Sequence, residues 1–165
     1  MNIHIVGDIY RMRVLDIMRG TTVDGPGFRT SIYLAGCRHH CPGCHNPQSW
    51  DFGAGTEMSI DDVMEIVEEE DFDVTLTGGD PMYQPALVAE LSRRIKEKGH
   101  GVWVYTGFTW EEIQRDPALK ESLHDVEAIV EGPFIESLRD PDLLFRGSSN
   151  QRIIFIQEPA SSCSN

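Results

Sequence analysis

Two rhythms of apolar residues run along this chain. Before residue 36 the period is short. Val14, Leu15, Ile17 and Met18 predict a strand over 14–18, and Ile32, Tyr33 and Leu34 predict a buried strand over 29–35. Between them, Gly25, Pro26 and Gly27 mark 21–28 as a loop. Pro42, Gly43, Pro47, Gly53 and Gly55 then exclude a long helix, so the stretch after the second strand is irregular backbone at that strand's C-terminal end.

Beyond Gly55 helical and strand periods alternate. Ser59 and Asp62 stand at capping-box spacing, and Ile60, Val63, Ile66 and Val67 continue at helical spacing, which predicts a helix from Ser59 to about Glu69. Val74–Thr77 reads as a short strand. Pro85 in a first turn, with Leu87, Val88, Leu91 and Ile95 on one face and Gly99 as the stop, predicts a second helix. Val102–Tyr105 is the next strand, and a weaker helix starts near Thr109 and breaks around Pro117. Strands at 128–130 and 153–156 complete the pattern. Strands separated by such helices predict a mostly parallel α/β sheet, with its chemistry at the C-terminal strand ends. A complete eightfold barrel typically needs about 250 residues. With 165 residues the expectation is an incomplete β/α barrel of about five or six units, open on one side.

Composition narrows the function. The chain is 40% hydrophobic, enough for one core, and carries 14 basic against 27 acidic residues, a net charge of -13. That balance disfavours nucleic acid and anionic membrane surfaces as partners. No apolar run approaches a span of about 20 residues and no signal-peptide pattern opens the chain, so the expected location is cytoplasmic. The acidic stretch Glu68–Asp71 with Asp73 reads as a solvated helix end.

The cysteines carry the strongest chemical signal. Cys37, Cys41 and Cys44 fall within eight residues, while Cys163 sits in a polar tail expected to be disordered and unneeded. Such clustering points to metal ligation rather than disulfides. Zinc would need a fourth ligand from His39, His40 or His45. A cubane of four irons needs one ligand per iron, so three thiolates leave one iron open for a substrate. An electron-transfer protein would need Cys163 or a non-cysteine ligand to complete its set. The spacing alone leaves all three open. Gly78 and Gly79, followed by Asp80, end the strand at 74–77; they suit either a turn or a close approach of backbone to a ligand, with the acid favouring an ammonium. Tyr105, Thr106 and Gly107 end the following strand. Trp103 and Trp110 read as packing groups, and His4, His100 and His124 as ordinary histidines.

The Cys37-x3-Cys41-x2-Cys44 spacing resembles the signature of the radical S-adenosylmethionine enzymes. Thr77-Gly78-Gly79-Asp80-Pro81 resembles that family's Gly-Gly-Glu-Pro segment, with aspartate for glutamate. Where many members place an aromatic residue before the third cysteine, this chain has Gly43. Residues 23–30 and 45–50 are similar to the segments flanking the cluster in glycyl-radical activases. Cys41-Pro42-Gly43-Cys44, Glu131–Phe134 and Arg146–Arg152 resemble the branch that activates anaerobic ribonucleotide reductase.

The resemblance runs from about Arg11 to Ile156 and implies a single domain over 1–165. It implies that Cys37, Cys41 and Cys44 hold a 4Fe-4S cluster with one open iron. S-adenosyl-L-methionine would then lie against Gly43, Cys44, His45, Gly78, Gly79, Asp80, Tyr105, Thr106 and Gly107. The implied reaction is reductive cleavage of S-adenosylmethionine, placing a glycyl radical on the large subunit of anaerobic ribonucleotide reductase. A one-electron donor such as flavodoxin or ferredoxin would feed it. An activase of the pyruvate formate-lyase type is the nearest alternative, and a zinc-stabilised binding module or an electron-transfer protein a more distant one.

Overall fold

A computed structural model describes residues 11–157. His4 and Cys163 lie outside the described residues. The chain runs β1 (Arg11–Thr21), β2 (Arg29–Leu34), β3 (Thr56–Ser59), α1 (Ile60–Glu70), β4 (Asp73–Gly78), α2 (Pro85–Glu97), β5 (Val102–Tyr105), α3 (Trp110–Arg115), α4 (Pro117–Ser122), β6 (Ala128–Glu131) and β7 (Arg152–Phe155). All strands join one seven-stranded sheet in the order β3-β1-β2-β4-β5-β6-β7.

The helices begin where local chemistry starts them. Ser59 and Asp62 form the expected capping box, with the Ser59 hydroxyl accepting from the Asp62 N–H. Thr109 and Glu112 repeat the device before α3, and Asp116 caps α4 ahead of Pro117. Pro85 opens α2, which buries Leu87, Val88, Leu91 and Ile95.

The sheet is less parallel than the pattern predicts. Strands β2, β4, β5 and β6 pair in parallel, whereas β1 pairs antiparallel with both β2 and β3, and β7 antiparallel with β6. The parallel set is therefore four strands, fewer than the five or six units expected. A parallel crossover needs a dozen or more residues, and the connection at 22–28 is too short for one. β3 was not foreseen because its four residues, Thr-Glu-Met-Ser, carry a single apolar side chain.

The two faces of the sheet differ. Ile32, Leu76, Val104 and Ile129 align across β2, β4, β5 and β6, all fully buried within the apolar cluster that includes Val63, Val67, Leu91 and Ile95 of the helices. The adjoining row is Ser31, Thr75, Trp103 and Ala128. Beside it Arg29, 1% exposed, donates to Thr75 Oγ1 at 2.8 Å and lies 5.5 Å over the Trp103 ring. The parallel strands β2, β4 and β5 all end at the same edge, and that edge holds the candidate site.

Candidate metal centre

The cysteine loop is seated by backbone bonds. Gly36 N–H donates to Ser49 C=O at 2.7 Å and Cys37 N–H to Trp50 C=O at 3.2 Å, while Cys44 N–H closes a turn on Cys41 C=O at 3.0 Å. His40 turns outward at φ 49, its ring 4.4 Å from that of Trp50. The end of β4 is stitched to the same loop: Gly79 N–H donates to Leu34 C=O at 2.7 Å and Asp80 N–H to Gly36 C=O at 2.8 Å.

A cleft of about 240 Å³ opens over these ends. Cys37, Cys41, Cys44 and His45 line it from the loop, Gly78, Gly79 and Asp80 from the end of β4, and Tyr105, Thr106 and Gly107 from the end of β5. Gly43 is the exception. It is not among the lining residues; its φ is 74, and a Cβ there would sit 2.8 Å from the Glu136 side chain. A larger groove of about 510 Å³ between α1 and α2 holds no thiol, and most of its charges are paired with one another, as in Lys98–Glu68 and Arg94–Asp61.

The glycines are explained first by packing. A Cβ at Gly78 would strike the Leu34 backbone, and one at Gly79 would lie 2.5 Å from Gly36 C=O. Only glycine lets the end of β4 close on the end of β2, and this leaves bare backbone on the cleft wall. Asp80 likewise serves the protein. Its side chain is 1% exposed; Oδ2 accepts from His39 Nε2–H at 2.6 Å, Thr106 Oγ–H at 2.8 Å and Gly107 N–H at 2.9 Å, and Oδ1 accepts from Met82 N–H at 2.9 Å. With both oxygens occupied, this carboxylate is an internal tie rather than a free acceptor in the cleft.

Several wall residues lie outside the sequence-based site: Asn46, Gly132, Phe134, Gly147 and Gln151, together with His39, which the sequence offers only as a zinc ligand. The polar run at 146–152, which by pattern is only a connector, folds back over the end of β6. Gln151 Oε1 accepts from Gly147 N–H at 2.8 Å, and its Nε2 donates to Gly132 C=O at 3.0 Å. Phe134 meets the His45 ring at 5.2 Å. Gly132 and Gly147 offered a signal in being glycines beside polar residues, but nothing in their spacing pairs them across the cleft.

The donor set can be tested against a metal group. All three cysteines are free thiols. Burial pushes the Cys37 thiol up to about 11 against a lowering hydrogen bond from the His39 backbone, and the charges of Asp80, Cys41 and Cys44 add to the rise. Among the described residues no three His, Cys, Asp or Glu side chains converge on a single ion. All three thiols border the one cleft. His39 Nε2 is held by Asp80 and His40 faces Trp50, so of the histidines that zinc would require only His45 lines the cleft with its ring uncommitted to a hydrogen bond.

These features belong to an iron–sulfur domain, and the family model described as a 4Fe-4S single cluster domain matches residues 23–154. The crystal structure of QueE from Escherichia coli shares the fold, with a TM-score of 0.53 at 16% identity over 73% of this chain and 70% of that one. An anaerobic ribonucleoside-triphosphate reductase-activating protein from Pasteurella multocida is 35% identical over 79% of this chain and 89% of its own length. The protein of the same name from Haemophilus influenzae is 35% identical over 86% of this chain and 97% of its own. That of bacteriophage T4 is 33% identical, over 79% and 86%. The chain belongs to the family of anaerobic ribonucleoside-triphosphate reductase-activating proteins. Among the described residues no helix is long and apolar enough to cross a membrane.

Proposed function

We propose that this chain is a cytoplasmic radical S-adenosylmethionine enzyme that activates anaerobic ribonucleoside-triphosphate reductase, acting as a single domain whose core spans about 11–156. The observation that carries the reading is the meeting of three free thiols with the bare backbone of Gly78 and Gly79 in one cleft at the strand ends. Cys37, Cys41 and Cys44 would hold three irons of a 4Fe-4S cluster and leave the fourth open. When bound, the group would supply one-electron reductive cleavage of S-adenosylmethionine, the chemistry needed to remove a hydrogen from a glycine Cα of the reductase's large subunit.

The chain's own residues bind, orient and shield. Carbonyls at Gly78 and Gly79 suit the methionine ammonium, while Tyr105, Thr106 and Gly107 border the nucleoside side, with backbone at Cys44 and His45 opposite. Asp80 supports this wall from behind through Thr106 and Gly107. The β3 and β7 edges of the sheet do not pair with each other. We read the fold as an incomplete β/α barrel whose open side admits the reductase's glycine loop. A flavodoxin or ferredoxin is the electron donor in this reading.

The test is 5′-deoxyadenosine formation by the anaerobically reconstituted chain with S-adenosylmethionine, a strong one-electron reductant and the reductase, followed by the glycyl-radical EPR signal. Both products should appear with the wild type and vanish in Cys41→Ala. Iron-loaded wild type that forms neither product with the reductase present would overturn the reading.

A further inference from the structure

We infer that His39, the middle residue of the three between Cys37 and Cys41, is a positioning residue that locks the cysteine loop to the ends of β4 and β5 through Asp80. This rests on the reading above for what the loop holds. The imidazole, with its side chain 16% exposed, turns into the cleft while His40 turns out. Three side chains hold it there. Its Nε2–H donates to Asp80 Oδ2 at 2.6 Å, and its ring lies 5.1 Å from that of Tyr83 and 4.7 Å, edge-on, from that of Phe108.

Gly107 closes the remaining side. A Cβ there would sit 2.6 Å from His39 Cδ2, and Gly107 does not adopt a positive φ, so an alanine would be excluded by the imidazole and not by its own backbone. The same Asp80 oxygen that receives His39 also receives Thr106 and Gly107, so one buried atom joins the loop to two strand ends. All four partners of Asp80 are donors. An asparagine at this position must therefore turn its NH2 toward one of them, whichever way it is flipped.

Neighbouring contacts that orient a metal-holding segment affect its hold on the metal by about tenfold or more. Without the tie, the loop between Cys37 and Cys41 keeps its thiols but loses their fixed placement.

The test compares full-length wild type, His39→Ala, His39→Gln, Asp80→Asn, Gly107→Ala and the His39→Ala/Gly107→Ala double variant. Three quantities are read: iron retained after anaerobic reconstitution and gel filtration, the reduction potential of the cluster, and the alkylation rate of the three thiols in iron-free protein. His39→Ala, Asp80→Asn and Gly107→Ala should each lose about tenfold in iron affinity, with a shifted potential and faster alkylation. His39→Gln, which restores an N–H at the same reach, should recover most of the loss. The double variant should be no worse than His39→Ala, since the clash then has no target.

Single variants matching wild type in all three readouts would overturn the inference, as would fully additive losses in the double. Failure of the functional reading is separate: it shows as iron-loaded wild type that forms no 5′-deoxyadenosine, while iron retention and alkylation still judge His39.

Discussion

Strand β4 carries an aspartate at each end, and the two make the same contact in different surroundings. At its start Asp73 accepts from Gly101 N–H at 2.8 Å; just past its finish Asp80 accepts from Gly107 N–H at 2.9 Å. Each acid thus ties β4 to β5, and each has a histidine beside it. His100 stands 3.7 Å from Asp73 and 3.1 Å from Asp71, and His39 stands 2.6 Å from Asp80. The difference is water: the Asp73 side chain is 47% exposed and that of Asp80 1%. An exposed acid trades its contacts for solvent at little cost, whereas a buried one leaves its donors stranded. One end of the strand is therefore a half-exposed tie that also faces the buried Arg29 guanidinium, and the other a fully buried frame for the cysteine loop.

The largest expected effect is removal of the buried acid. Asp80→Ala strands four donors and should cost about 3–5 kcal/mol in urea unfolding of the iron-free chain. Asp73→Ala, measured alongside, should cost less, about 1–2 kcal/mol, because it also takes away the carboxylate 3.9 Å from the buried Arg29 guanidinium. Equal losses would break the comparison.

The two glycines that donate to these acids sharpen it. Gly107→Ala drives a methyl into the His39 ring, which Tyr83 and Phe108 hold, and should cost about 1–3 kcal/mol. Gly101→Ala crowds only the carboxylate end of Glu127, which can swing into solvent, and meets Asp73 Cγ at an ordinary 3.8 Å, so a change within about 0.5 kcal/mol is expected from the same melts.

The smallest effect concerns pH. Burial raises the Cys37 thiol from its ordinary 9.0 to about 11, so the folded chain keeps a proton that the unfolded chain releases. Stability contributed by the neutral thiol is full below pH 9 and is lost as pH rises through about 11. Thermal melts of iron-free protein across that window should fall more steeply for wild type than for Cys37→Ala. At fixed pH near 8, Cys37 should also alkylate more slowly than free cysteine, as mass spectrometry of the labelled peptide would record.

Legibility followed locality. Helix α1 with its cap, and α2 from its opening Pro85, are readable because the Ser59–Asp62 capping pair, the proline and the apolar stripes each act within a few residues. The cysteine loop was readable for the same reason, as were the two strand ends that share its cleft. The reading of Gly78 and Gly79 as ligand contacts missed their packing against Leu34 and Gly36, because that neighbour lies on a strand more than forty residues earlier. β3 escaped notice with one apolar residue in four. At Gly43, where the resemblance implies only a backbone contact, the left-handed φ and the nearby Glu136 side chain explain the glycine by themselves.

The sequence by itself determined the elements other than β3, the α/β character of the fold and the three thiols in one loop, since each depends on neighbours in the chain and on the solvent preference of each side chain. Only the tertiary structure decided that the flanking strands run antiparallel, that the Arg146–Arg152 segment walls the cleft, and that Asp80 turns inward to His39. Those outcomes depend on contacts between residues far apart in the chain, such as His39 and Asp80 or Gly132 and Gln151. Such contacts form only once the apolar core has set the distance between the strand ends. No periodicity along the chain encodes that distance.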